Sequence, residues 1–276
     1  MDRYAVIGNP ISHSLSPMIH AQFARQTGQP LSYGAVLGKI GQFAQSVDQF
    51  SRDGGCGMNV TVPFKLDAFA YAQQHSVRAL AAGAVNTLVL NGERVYGDNT
   101  DGAGLLNDLA GRLAHPVAGN KVLILGAGGA SRGVLLPLLN AGVATIHICN
   151  RSAAKAQELA ALDRDGRVLA VGSDALAQSA MHFDIVINAT STGLSDLPLP
   201  IPAAILRSAG LAYEMLYAAK PTRFMTQAAQ AGCARVCDGL GMLLEQAAES
   251  FYVWRGVRPQ TEPVYAALRE HLDRGE

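Results

Sequence analysis

Short apolar runs alternate with longer amphipathic stretches along almost the whole chain. Strand-like runs fall at residues 4–7, 58–62, 85–90, 95–97, 121–125, 145–149, 185–188 and 211–215, with helical patterns between most of them. That alternation predicts an α/β fold with largely parallel sheets, since parallel neighbours need a long crossover. Local punctuation adds boundaries. Ser16-Pro17 reads as a capping hydroxyl before a proline at the first helical position, and Gly28 closes that helix. Asn91-Gly92 predicts a two-residue hairpin turn. Pro63 ends the 58–62 run, which puts Lys65 near the start of the next helix, and Asp101 heads a helical run over 102–113. Residues 115–120, with Pro116 and Gly119, read as a connection into a new unit. The expected division is a discontinuous first unit, residues 1–101 and 238–276, and a second over 102–237.

The chain's 276 residues agree with two units at roughly 150 residues each. Hydrophobic residues make up 49% and charged ones 16%, which excludes intrinsic disorder. Lys and Arg number 22 against 22 Asp and Glu, so a broad basic surface for nucleic acid or anionic membrane is not expected. No apolar run reaches the ~18 residues of a membrane span, and the N-terminus enters a strand directly, with no signal peptide expected. Cys56, Cys149, Cys233 and Cys237 show no metal-ligand spacing and read as reduced thiols of a cytoplasmic protein.

Candidate chemistry lies in two places. The 121–125 run leads into Gly126-Ala127-Gly128-Gly129-Ala130-Ser131-Arg132-Gly133 and then a helix over 134–140. Strand, glycine turn and helix in that order make a dinucleotide site, because glycines let a pyrophosphate approach and the helix start offers free N–H groups. Ser131 stands where the usual spacing has a third glycine. The next strand ends in Asn150-Arg151-Ser152, without the acid that would accept from ribose hydroxyls. Arg151, with Ser152 and Lys155, suits a 2′-phosphate instead, so NADP is expected over NAD.

The second place is a set of polar residues where a core would be apolar: Ser14 and Ser16 after the first strand, Asn59 and Thr61 sharing one strand face, Lys65, Asn86 inside an apolar strand, and Asp98 to Asp101. Buried Asn and Asp need partners, and a polyhydroxylated ligand would supply them. His13 reads as a loop residue.

Eight ordered motifs resemble the shikimate dehydrogenase family over nearly the whole chain. They begin with Gly8-Asn9-Pro10-Ile11-Ser12-His13-Ser14-Leu15-Ser16-Pro17, Asn59-Val60-Thr61-Val62-Pro63-Phe64-Lys65, Gly83-Ala84-Val85-Asn86-Thr87 and Gly97-Asp98-Asn99-Thr100-Asp101-Gly102. The glycine turn, Asn150-Arg151-Ser152, Asn188-Ala189-Thr190-Ser191 and Asp238-Gly239-Leu240-Gly241-Met242-Leu243 complete the set, with Gln246 behind the last. The resemblance implies a substrate domain and a Rossmann-like NADP-binding domain with a cleft between them. It implies reversible NADP-dependent reduction of 3-dehydroshikimate to shikimate, in chorismate and aromatic amino-acid biosynthesis. In that family Lys65 and Asp101 would be the catalytic pair. Ser14 and Ser16, helped by Tyr217, would hold the substrate carboxylate, and Asn59, Thr61, Asn86 and Gln246 the ring hydroxyls. Gly126, Ala127, Gly128, Gly129, Ala130, Asn150, Arg151, Ser152, Lys155, Thr190, Met215 and Gly239 would contact NADP. No metal is implied, and the chain would act as a monomer or homodimer.

Two departures from the family pattern fall together: Glu214 stands where Asp is common, and Thr222-Arg223-Phe224 replaces a Thr-Pro-Phe. Two other readings stay open at this point. One is a paralogue that also takes quinate; the other is an NADP(H)-binding regulator without turnover, which would lack Lys65 or Asp101.

Overall fold

The computed structural model describes residues 1–178, 181–190 and 199–274. The chain builds two six-stranded sheets joined by two helices. The first sheet and its helices run β1 (Asp2–Gly8), α1 (Ser16–Thr27), β2 (Leu31–Leu37), α2 (Phe43–Arg52), β3 (Gly55–Val60), α3 (Lys65–Tyr71), β4 (Gln74–His75), α4 (Val77–Ala82), β5 (Thr87–Val89) and β6 (Tyr96–Asp98). Their order is β2-β1-β3-β5-β6-β4. It is a mixed sheet: three of its five pairings are parallel, as expected of largely parallel sheets, while β5 runs antiparallel to both neighbours. The reason is the hairpin, whose partner strands must be antiparallel. Val89 pairs with Tyr96, leaving residues 90–95 as the connection, where a two-residue turn at Asn91-Gly92 was expected.

The chain then crosses through α5 (Asp101–Asn107) and one wide π turn (Asp108–Arg112) into the second sheet. There follow β7 (Lys121–Leu125), α6 (Gly129–Asn140), β8 (Thr145–Cys149), α7 (Ala153–Ala160), β9 (Val168–Val171), α8 (Ser173–Gln178), β10 (Ile185–Asn188), α9 (Ala203–Ser208), β11 (Leu211–Glu214), α10 (Arg223–Ala231) and β12 (Val236–Cys237). All pairs are parallel, in the order β12-β11-β10-β7-β8-β9. That is the doubly wound dinucleotide order, with its switch point between β7 and β10. The central strands β7 and β10 are buried on both faces, as their continuous Val/Leu/Ile runs require. The helix after the glycine turn begins at Gly129, five residues earlier than the sequence pattern indicates.

The chain returns through α11 (Leu240–Arg255) and ends on α12 (Glu262–Asp273). Helices α5 and α11 form the joint. A methyl on Gly104 would stand 2.7 Å from Gln246 Cβ, so glycine lets the two backbones touch. Among the described residues no helix is long and apolar enough to cross a membrane.

Each sheet is covered on both faces. On the first, α2, α3 and α4 close over Val60, Phe64 and Leu88, while α1, α11 and α12 meet around Phe23, Leu244 and Phe251. That second layer encloses His20 of α1, fully buried with neither ring nitrogen hydrogen-bonded. Its ring stacks on Tyr33 with centroids 4.1 Å apart. Burial pushes its pKa down to about 3. A base lowered in this way leaves stability intact above the unfolded value near 6.5. Stability is then lost as pH falls toward 3, because only the unfolded chain takes the proton. At pH 5 the loss from this group is about 2 kcal/mol. His20→Phe keeps the stacking face and removes the titration. Its melting temperature is expected to fall less than the parent's between pH 7 and pH 5, as followed by circular dichroism.

Candidate active site

Lys65 comes from a helix of the first sheet and Asp101 from the joint itself. Phe64 and Lys65 follow Pro63, so Lys65 is the first residue of α3. Asp101 is the first residue of α5, where Asn99 Oδ1 accepts from its backbone N–H at 3.1 Å and closes the turn. Lys65 Nζ donates to Asp101 Oδ2 at 2.6 Å. The carboxylate is nearly buried, at 7% side-chain exposure, while the ammonium keeps 22% and so can still meet a ligand.

The other carboxylate oxygen is occupied. Asn86 Nδ2 donates to Asp101 Oδ1 at 2.9 Å and to Gln246 Oε1 at 3.3 Å. Thr100 Oγ1 lies within hydrogen-bond distance of both Asn86 Oδ1 and the Gln246 backbone carbonyl, with one proton to give to either, tying β5, α5 and α11 into one net. Asn86 itself precedes β5 instead of lying inside the strand, yet its carbonyl still accepts from Val60 N–H and continues the ladder. Asp98, two residues before the loop's end, is clamped by Arg78 and Ser76. Burial alone would push its carboxyl up, but the Arg78 guanidinium and the Ser76 hydroxyl outweigh it and hold the pKa below the ordinary value.

Asn59 is also satisfied from within. Its amide donates to Ser250 Oγ at 3.0 Å and Thr87 Oγ1 at 3.2 Å, and its oxygen accepts from the Tyr33 hydroxyl at 2.7 Å. It braces the net from below. Tyr33 and Ser250 are the members of this net that the sequence reading missed. Ser250 stands one helical turn after Gln246 on an apolar helix face, which is the one cue available. Thr61 differs: its hydroxyl forms no hydrogen bond among the described residues.

The Ser14 to Ser16 loop follows β1. Leu15 occupies the position before α1 and Ser16 lies in its first turn, so Ser16 is not the capping hydroxyl that Ser16-Pro17 predicts. The helix has no side-chain cap; the Ser14 hydroxyl, one residue before Leu15, accepts from the Ser16 N–H at 3.3 Å. Gly28 does close the helix, at φ +65°. Tyr217 packs against this layer. Burial pushes the phenol's pKa up, so Tyr217 stays a neutral donor. His13 is exposed.

The glycine turn lies at the switch point of the second sheet. Gly126 has φ +108°, and a methyl there would stand 3.1 Å from the Ala189 carbonyl oxygen after β10. Gly126→Ala therefore combines a left-handed backbone with a contact against rigid main chain, and is expected to cost about 1–3 kcal/mol. A melting temperature several degrees lower, together with weakened NADP binding in a fluorescence titration, checks this. Gly128 and Gly129, by contrast, face open space at the start of α6. Ser131 is wholly buried and donates to the Gly126 carbonyl at 2.9 Å, so the missing third glycine becomes a brace for the turn. Thr190 donates to Asn188 Oδ1 through both its backbone N–H and its hydroxyl. Ser191 lies outside the described residues. At the end of β8, Asn150 donates to the Ser152 carbonyl, and Arg151, Ser152 and Lys155 are exposed.

The Glu214 departure has a local cause. The side chain is fully buried, and its Oε2 accepts from Asn188 Nδ2 at 2.8 Å and Thr222 Oγ1 at 2.9 Å, while Oε1 accepts from Leu216 N–H. Thr222 is the residue that caps α10. The carboxylate thus ties the loop holding Met215 and Tyr217 to the end of β10 and the start of α10. Burial raises its pKa, and these three donors offset part of the rise. Gly239 permits the return chain to pass that loop, since a methyl there would stand 2.2 Å from the Met215 carbonyl.

The two halves of the site touch. A methyl on Gly133, one turn into α6, would stand 3.2 Å from Asp101 Oδ2. The helix that opens at the glycine turn therefore runs directly past the lysine–aspartate pair.

Three family models match the chain: the shikimate dehydrogenase substrate binding domain over residues 6–88, shikimate / quinate 5-dehydrogenase over 108–195, and the shikimate 5′-dehydrogenase C-terminal domain over 239–269. A shikimate dehydrogenase (NADP(+)) of Aromatoleum aromaticum is 53% identical over 278 residues, covering 100% of this chain and 99% of its own. The chain belongs to the shikimate dehydrogenase family. A family member from Chromobacterium violaceum, also named shikimate dehydrogenase (NADP(+)), is 52% identical across 98% of this chain and 99% of its own. Among solved structures, the Ael1 enzyme of Pseudomonas putida superposes with a TM-score of 0.92 at 47% identity, covering 97% of this chain and 98% of that one. The Thermus thermophilus shikimate 5-dehydrogenase, solved with NADP(H) and shikimate, superposes at 0.86 and 33% identity, covering 98% and 99%.

Proposed function

We propose that this shikimate dehydrogenase family member uses NADPH to reduce 3-dehydroshikimate to shikimate, and NADP for the reverse. The observation that carries this reading is the 2.6 Å Lys65–Asp101 contact placed against the helix of the glycine turn. It joins a proton donor to a nucleotide site, which a binding module without turnover would not need.

The residues fit NADP. Gly128 and Gly129 leave room for a pyrophosphate before the helix start, and Arg151 and Lys155 have no protein partner among the described residues to compete with a 2′-phosphate. Gly126, Ala127, Gly128, Gly129 and Ala130 would hold the pyrophosphate side. Asn150, Arg151, Ser152 and Lys155 would hold the adenosine side, and Thr190, Met215 and Gly239 the nicotinamide side. When bound, NADPH supplies the hydride. Ser14 and Ser16, with the Tyr217 hydroxyl, hold the substrate carboxylate, and Thr61, Asn86 and Gln246 meet ring hydroxyls. Lys65 stabilises charge growing on the carbonyl oxygen and delivers a proton to that oxygen. Asp101 aims the ammonium through Oδ2, because Asn86 fixes its other oxygen. Asn59 positions Asn86 through Thr87 and Ser250. In this reading residues 1–101 and 238–276 form the substrate domain and 102–237 the NADP domain. All four cysteines are free, which supports a reducing compartment such as the cytoplasm.

Loss of NADPH absorbance, measured with 3-dehydroshikimate, and its gain with shikimate and quinate against NADP and NAD, tests the reading. Turnover is expected with shikimate and NADP, at a kcat/KM well above every other pairing. Tight NADPH binding without any oxidation would overturn it.

A further inference from the structure

We propose that the junction between the two sheets holds a second small-molecule site, for a monocarboxylate with a flat apolar body. A cavity of about 420 Å³ opens there, lined by Arg112, Leu113, Arg235, Cys237, Tyr265 and Arg269 among others. None of the residues assigned to hydride chemistry lines it.

The charge balance around the cavity selects an anion. Two of its three guanidinium groups have carboxylate partners. Arg112 donates through Nε and Nη2 to Asp108, a wholly buried carboxylate that also accepts from the Tyr213 hydroxyl. Arg269 donates through Nη2 to both oxygens of Asp238. Arg235 has no acidic partner among the described residues, and one of its N–H groups goes to the Leu113 carbonyl. One positive charge is therefore left over, with donors still free on its planar fork.

The remaining walls suit an apolar plate. Tyr265 lies between two of the arginines, with the Arg112 carbon 4.4 Å and the Arg269 carbon 5.8 Å from its ring centroid. Leu113 and Met225 add aliphatic surface. Burial pushes the Cys237 thiol up to about 12, so it is a neutral wall and not an opposing thiolate.

The position gives the site a consequence. The chain passes between the sheets twice, through α5 with its π turn and through residues 237–240, and both passages border this cavity. Asp108 presses so closely on α11 that a methyl on Gly241 would stand 1.9 Å from its Oδ1. A ligand here contacts β12 of one sheet, the crossing itself and α12 behind the other. It therefore favours whichever domain arrangement completes its contacts.

Benzoate is the probe, with benzamide as its neutral counterpart of the same shape. Calorimetric titration of the full chain, preloaded with saturating shikimate and at fixed ionic strength, is expected to show saturable one-to-one benzoate binding. Benzamide is expected to bind at least about tenfold more weakly. Arg235 is exposed, so Arg235→Met is expected to keep the parent's melting temperature and lose at least about tenfold in benzoate affinity. Ser16→Ala, which alters only the shikimate carboxylate site, is expected to keep it. The proposal is overturned if benzoate is displaced by shikimate, if Arg235→Met binds it like the parent, or if no saturable binding occurs up to about 10 mM.

Discussion

Lys65→Met is expected to lower kcat for 3-dehydroshikimate reduction about 10³- to 10⁴-fold while leaving NADPH affinity within about twofold. Methionine fills nearly the same volume, and the lysine side chain is only partly buried, so the fold has little reason to change. What disappears is the cation paired with Asp101, and with it both the charge that stabilises the developing alkoxide and the proton that quenches it. Asp101→Asn is a milder companion. An amide at that position has one acceptor oxygen for two donors, so with the oxygen on Asn86 its NH2 faces the ammonium and no longer draws it into place, and kcat should fall, though by less than in Lys65→Met. Stopped-flow measurement of NADPH oxidation separates the chemical step from product release, and NADPH fluorescence reports binding. A Lys65→Met enzyme that turns over within tenfold of the parent would remove Lys65 from the reaction.

Parts of this site are legible in sequence because the chemistry is local. The strand before Pro63 ends earlier than expected, at Val60, but Pro63 still falls just before the helix start that presents Lys65, and the glycine turn is bounded by a strand of Val, Leu and Ile. Asp101 is likewise placed by its own neighbours, through the Asn99 side chain. The resemblance to the family then supplied roles that spacing alone does not.

What escaped is long-range. Asn59 looks like a free ligand-binding amide until β2 is seen. That strand, interrupted in pattern by Ser32 and Gly34, lies at a sheet edge with several positions exposed, so it lacks the apolar run that marks the others. Its Tyr33 reaches across β1 to Asn59, and Ser250 arrives from 191 residues away. Neither link leaves a periodic trace. The cap at α1 failed for a geometric reason: Ser14 and Ser16 are both plausible hydroxyls, and which of them accepts depends on the turn from Ile11, closed by the Ser14 N–H to Ile11 carbonyl bond. The hairpin failed because register, set by side chains on both strands, overrode the Asn-Gly preference. Strands β4 and β12 have two residues each and carry no period to read.

Arg151→Ala is expected to raise the KM for NADP about 10- to 150-fold and leave that for NAD almost unchanged. The two cofactors differ by a single phosphate. A hydrogen bond to a charged group contributes about 1.5–3 kcal/mol, which sets that range. Arg151 stands exposed just past β8, on a turn that Asn150 closes through the Ser152 carbonyl, and it makes no ion pair among the described residues. Its removal therefore breaks no protein contact that would lower affinity for both cofactors alike. Lys155, one turn along α7, adds a second cation on the same edge, so Lys155→Ala should act in the same direction with a smaller effect, and the double variant should exceed either. The salt dependence provides an independent check, because an exposed phosphate contact is screened. Raising ionic strength should weaken NADP binding in the parent and much less in the double variant. Equal losses for NADP and NAD would mean that Arg151 shapes the turn and does not read the phosphate.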